Sequence, residues 1–150
     1  MSKKQIEGFL MHGTFTAKLA TVKKDGSPHV VPIWFVLDGR KDQARKRIGD
    51  IVFTTYDSSL KALNIQRDNR VSICVDDQTP QFSFVTIHGT AKIVRQKYNE
   101  LLKWNTRIAK RYMGKSNAKA YGERNSTESA VLVRIKPTKV IAEKDIAEWE

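Results

Sequence analysis

Cysteine is nearly absent from this chain: Cys74 stands alone, so no internal disulfide can form. The residue lies in an apolar alternating run, where a thiol is expected as a small buried hydrophobe. Histidine is scarce too, and His12, His29 and His88 share no ligand spacing, which argues against a metal centre. There is no Gly-x-Ser-x-Gly nucleophile elbow and no Gly-x-x-x-x-Gly-Lys phosphate loop. No apolar run approaches the roughly 18 residues of a spanning helix. The opening "MSKKQIEGFLMHG" carries positive charge without an apolar signal region. A soluble, cytoplasmic protein with no membrane role is the expectation.

What the chain has in excess is positive charge. Its 150 residues carry 27 Lys and Arg against 16 Asp and Glu, a net +11, which favours an anionic partner. Five of the basic residues crowd into "RKDQARKR", Arg40 to Arg47, in an expected loop. Others, Arg107, Lys110, Arg111, Lys115, Lys119 and Arg124, populate a later segment and are expected to form solvated faces. The length suits one domain over residues 1–150, enough to bury roughly two thirds of its unfolded surface.

Ile6, Phe9 and Leu10 stand at helical spacing and predict a short N-terminal helix ending near Gly13. In "TAKLATVKKDGSPHVVPIWFVL" two apolar runs flank Asp25-Gly26, a hairpin signal. The second run, His29 to Leu37, reads as one strand, and Pro32 within it argues for an edge or a bulge. "IVFTT" predicts another strand, and Ser58 or Ser59 an N-cap for a short helix holding Leu60 and Leu63. "RVSICVDD" and "FSFVTIHGTAKIV" follow as strands, with Gly89 marking a bulge or a close approach. Gln96 to Met113 predicts the longest helix, and "AVLVRIKPTKVIAE" a final strand. About six strands joined by local turns, without crossover helices, predict a mainly β fold: a small antiparallel barrel with peripheral helices.

The chemistry concentrates in "GDIVFTTYDSSLKALNIQRDNRVSICVDD". A helix begun at Ser58 or Ser59 would aim its free amides and hydroxyls at an anion, with Lys61 on its first turn. Thr54 and Thr55 could add hydroxyl donors. The plainer reading is that the serines cap the helix while Lys61 faces solvent.

The succession "LATVKKDGSPHVVPIWFVLDG", "DIVFTTYDSSLKALNIQRDNRVSICVDD" and "FSFVTIHGTAKIV", about Leu19 to Val94, resembles the pyridoxamine 5'-phosphate oxidase-like split-barrel flavoproteins. Within that family the wording is most similar to the small deazaflavin-dependent or FMN-binding reductases. The resemblance implies an antiparallel split barrel. It also implies that the strand at Val31, Pro32, Ile33 and Trp34 runs beside the coenzyme ring, with Thr54 and Thr55 on the next strand. Ser59 and Lys61 then hold the coenzyme phosphate, as the helix argument independently suggests. A homodimer with sites at the subunit interface is implied as well, and Pro32 to Val36 with Phe82 and Phe84 are candidates for the contact.

Departures from the family narrow the activity. Leu60 stands where the oxidases proper carry an Arg, and Trp149 is not followed by basic residues that would hold a vitamin phosphate. The resemblance therefore implies a reductase moving hydride between coenzyme F-420, or FMN, and a small organic substrate. It names no acid or base residue. The polyglutamate tail of F-420 would give the basic excess a use; an FMN-binding relative without F-420 activity is the alternative. A nucleic-acid-binding barrel without catalysis is the rival of another class, against which Trp34, Phe35, Phe53, Phe82 and Phe84 lie in apolar strands rather than among the basic loops.

Overall fold

The computed structural model describes residues 1–39 and 47–149. Seven strands form one antiparallel sheet among them: β1 (Ala17–Val22), β2 (Pro28–Ile33), β3 (Val36–Asp38), β4 (Asp50–Tyr56), β5 (Arg70–Asp77), β6 (Ser83–Val94) and β7 (Ala130–Glu143). Their order across the sheet is β2-β1-β5-β6-β7-β4-β3. The helices are α1 (Lys3–Leu10), α2 (Leu60–Arg67), α3 (Tyr98–Met113) and α4 (Ala118–Asn125), with a 3-10 turn at Lys115–Asn117. No helix among the described residues is long and apolar enough to cross a membrane.

The run His29 to Leu37, expected as one strand, is two. It breaks after Ile33 and resumes at Val36, because β2 and β3 occupy opposite edges of the sheet. Three residues span at most about 11 Å, so the two edges are drawn together and the sheet curls. The break has a visible cause. Phe35 N donates to the Tyr112 hydroxyl at 3.2 Å and Phe35 O accepts from Arg111 at 2.7 Å, so neither backbone group joins a ladder. The edges meet without strand pairing between them, and the result is a split barrel.

Local signals explain much of the rest. Gly26 at φ +85° closes the β1–β2 hairpin while Asp25 accepts from Ser27 N and Oγ. Pro32 sits on β2, an outermost strand, where a missing donor is tolerated. At Gly89 the β6–β7 register shifts, the expected bulge. A Cβ there would overlap the Lys136 carbonyl oxygen, which cannot retreat without moving β7. Gly89→Ala should therefore cost about 2 kcal/mol, read as a lower urea midpoint at unchanged slope.

Inside the curl, Leu19, Phe35, Phe53, Ile73, Ile87 and Ile135 are fully or almost fully buried. α1 seals one end with Leu10, held by a capping box between Ser2 and Gln5. Outside, α3 lays Trp104 and Ile108 on Val36, Val52 and Leu132, so β4 and β7 are covered on both faces there.

Several expectations change. Leu60 and Leu63 are exposed; α2 instead buries Ala62, Ile65 and the polar Asn64, whose amide donates to Thr21 Oγ1 at 3.0 Å. Cys74 is half-exposed, on the outer face with Ser72, because its alternate neighbours Ile73 and Val75 take the core. Of the suggested contact surface, Ile33 and Phe35 are buried in the barrel and Val36 beneath α3, while Pro32, Trp34 and Phe82 are exposed. Arg111 is no solvated residue, as shown below. The basic stretch Arg40 to Arg47 lies outside the described residues except for Arg47.

Candidate functional site

Where the sheet edges converge, a cleft of about 320 Å3 opens between β2, β4 and the helices. Pro32, Ile33 and Trp34 form one wall, Thr54, Thr55 and Tyr56 another, and Lys61 enters from α2. α3 and α4 close the remaining side with Asn105, Ile108 and Asn125. The sequence thus placed most of its candidates in one hollow. Val31 and Ser59 do not line it: Val31 packs toward the barrel core, and Ser59 supports the cleft from beneath.

Ser59 is the N-cap of α2, its Oγ accepting from Ala62 N at 3.2 Å and from Thr55 Oγ1 at 3.0 Å. The capping reading of this serine is therefore correct. Its own proton remains available, since both of those contacts use it as an acceptor. Thr54 Oγ1 donates to Asn105 Oδ1 at 2.5 Å. Both threonine protons are engaged inside the protein, and what the two hydroxyls offer in this arrangement is lone pairs.

Lys61 departs from the solvent-facing alternative. It lines the cleft, and no ion pair or hydrogen bond to its ammonium occurs among the described residues. The acid nearest in sequence is occupied elsewhere, for Asp57 accepts from Arg95 at 2.8 Å. Burial lowers the lysine's pKa from 10.5. In the free fold this disfavours the charged form, a cost present at neutral pH and relieved as pH rises through the lowered value. A bound anion reverses the preference. Affinity for a phosphate-bearing ligand should then be full at neutral pH and decline at a pH below 10.5 as Lys61 loses its proton; Lys61→Arg should remove that decline in titrations across the alkaline range.

The Trp34 wall is braced from behind. Its indole stacks on Tyr112, ring centroids 5.1 Å apart and planes within 6°. The Tyr112 hydroxyl donates to Phe15 O at 2.8 Å, and burial pushes its pKa up. Arg111 completes the brace, donating to the carbonyls of Leu10 at 2.6 Å, Phe35 at 2.7 Å and Gly13 at 3.0 Å, with its guanidinium 4.6 Å from the Phe35 ring centroid.

Sequence reasoning missed Tyr56, Asn105, Ile108 and Asn125. Asn105 carried a signal: it sits in the apolar stripe of α3, four residues after Leu101 and three before Ile108, where a polar side chain needs internal partners. It is 2% exposed. Among the described residues no group of three or more His, Cys, Asp and Glu side chains is placed to hold a metal ion.

A family profile described as pyridoxamine 5'-phosphate oxidase matches residues 2–144. The chain belongs to the pyridoxamine 5'-phosphate oxidase family. None of the curated proteins compared with it matches in sequence. Among solved structures, a conserved hypothetical protein of Mycobacterium tuberculosis is 28% identical with a TM-score of 0.80, over 97% of this chain and 86% of that one. An F-420 reductase is 23% identical with a TM-score of 0.66, over 89% of this chain and 94% of that one. General Stress Protein 26 of Bacillus anthracis is 19% identical with a TM-score of 0.66, over 93% and 92%. The last two likenesses speak to the fold alone.

Proposed function

We propose that this chain is an oxidoreductase that moves hydride between coenzyme F-420, or FMN, and a small organic substrate. The observation that carries the reading is the half-buried Lys61, unpaired among the described residues, in a cleft walled by Trp34. Lys61, the Ser59 hydroxyl and the free amides at the start of α2 would hold the coenzyme phosphate. The Val31 to Trp34 segment would back the ring, and Thr54 would meet its edge. Both coenzymes supply hydride chemistry when bound; the chain supplies orientation and a partly dry surface. The reading takes the chain as one cytoplasmic domain that pairs two-fold through the exposed apolar surface near Pro32 and Phe82.

The choice of F-420 over FMN is supported by the +11 charge and by the motif wording, since a polyglutamate tail profits from a basic surround. Binding of F-420 should weaken with added salt more steeply than binding of FMN, because the tail's exposed charges are screened. Fluorescence titrations of both coenzymes from low to high salt check this, and equal slopes would favour FMN. The non-catalytic nucleic-acid reading gains no support from the strand aromatics: Phe35 and Phe53 are fully buried, and one face of Trp34 is covered by Tyr112.

A further inference from the structure

The hydrogen-bond directions around Asn105 are determined by one group that has no choice. Asn105 Nδ2 lies 3.1 Å from the Asn125 carbonyl oxygen, which can only accept, so this end of the side chain is its amide nitrogen. Ser126 Oγ agrees: it donates to Gly122 O at 2.7 Å and therefore accepts from Asn105 Nδ2 at 3.0 Å. The other end is thus Oδ1, an acceptor, and it faces Thr54 Oγ1. Thr54 must give its only proton to Asn105. What remains toward the cleft are the lone pairs of Thr54 Oγ1, and no donor among the described residues reaches them.

From this geometry we infer that Asn105 is a positioning residue that makes Thr54 a pure acceptor, so that the cleft selects a ring presenting an N–H donor at its edge. The inference rests on the coenzyme reading above. Both candidate coenzymes carry such a group, the imide N3–H of the pyrimidine ring. A ring presenting a carbonyl at that point would leave two acceptors facing each other in a partly buried site, which is repulsive and uncompensated. The selectivity is set from behind Thr54, by a helix that closes one side of the cleft. Asn105 is well placed for that task because it is 2% exposed and its remaining bonds, to Asn125 O and Ser126 Oγ, hold its amide in one orientation.

The test compares FMN with its N3-methyl analogue, which lacks the donor but keeps the phosphate. The wild-type protein should bind FMN about tenfold more tightly than the analogue. Thr54→Val keeps the branched shape and loses the acceptor, so the preference should fall to about twofold or less, mainly through weaker FMN binding. Thr54→Ser should restore it. Asn105→Leu frees the Thr54 hydroxyl to rotate and should also shrink the preference; thermal melts of each variant separate this from misfolding. A methyl group rejected for its bulk alone would still be rejected by Thr54→Val, so an unchanged preference in that variant overturns the inference, as does equal wild-type affinity for both flavins. If neither FMN nor F-420 binds the wild-type protein, the functional reading falls and the inference with it.

Discussion

Lys61→Met is expected to weaken binding of FMN or F-420 by roughly 10- to 100-fold, the loss associated with one charge-assisted hydrogen bond. The same substitution should leave the unliganded protein as stable as before or slightly more so. Both halves follow from one fact: the ammonium is half-buried, pairs with no acid among the described residues, and has a pKa lowered by burial. A lysine kept for folding would have a partner to lose; this one has only a desolvation cost, which methionine of similar length removes. Fluorescence titration reads the affinity and urea unfolding reads the stability. Riboflavin, which has no phosphate, should bind the two proteins alike. Equal FMN affinity in wild type and Lys61→Met would remove Lys61 from the site.

Arg111→Leu has the largest expected effect on the fold, about 3 kcal/mol. Three carbonyls, of Leu10, Gly13 and Phe35, would lose a charged donor at once, leaving the Tyr112 hydroxyl and apolar packing to hold those segments together. No carboxylate among the described residues is involved, and burial lowers the guanidinium's pKa, so the residue is held by carbonyl dipoles and by the rings of Phe35 and Tyr112. A planar five-donor fork suits that arrangement and a lysine does not; Arg111→Lys should recover less than half of the loss. Because Phe35 follows Trp34, coenzyme affinity should drop along with stability, whereas Lys61→Met affects affinity alone. Paired denaturation and binding measurements on the two variants separate the brace from the cradle.

The parts of this molecule that were legible in the sequence were those governed by local rules. The Asp25-Gly26 hairpin, the edge position of Pro32, the bulge at Gly89 and the cap at Ser59 each depend on the conformational limits of one or two residues, and each stands where those limits put it. The family resemblance likewise grouped Val31, Pro32, Ile33, Trp34, Thr54, Thr55, Ser59 and Lys61, of which all but Val31 and Ser59 line one cleft.

What was hidden depended on distant partners. Nothing local at Trp34 and Phe35 announces a break, because the strand ends there only through Arg111 and Tyr112, more than seventy residues later. Leu60 and Leu63 match helical spacing as well as Ala62 and Ile65 do, and the buried face is the one that packs Ile65 into the core and lets Asn64 reach Thr21. The role of Asn105 needed Asn125 and Thr54 in view together. Charge misled in the same way, for Arg111 belongs to a basic segment by composition and to the barrel wall by contact.

The most direct measurement is a crystal structure of the protein soaked separately with FMN and with coenzyme F-420. The account predicts the phosphate against the Lys61 ammonium at the first turn of α2, with the ring lying along Pro32 to Trp34 and its imide edge at Thr54. Either coenzyme bound at another surface while this hollow holds only solvent would contradict it.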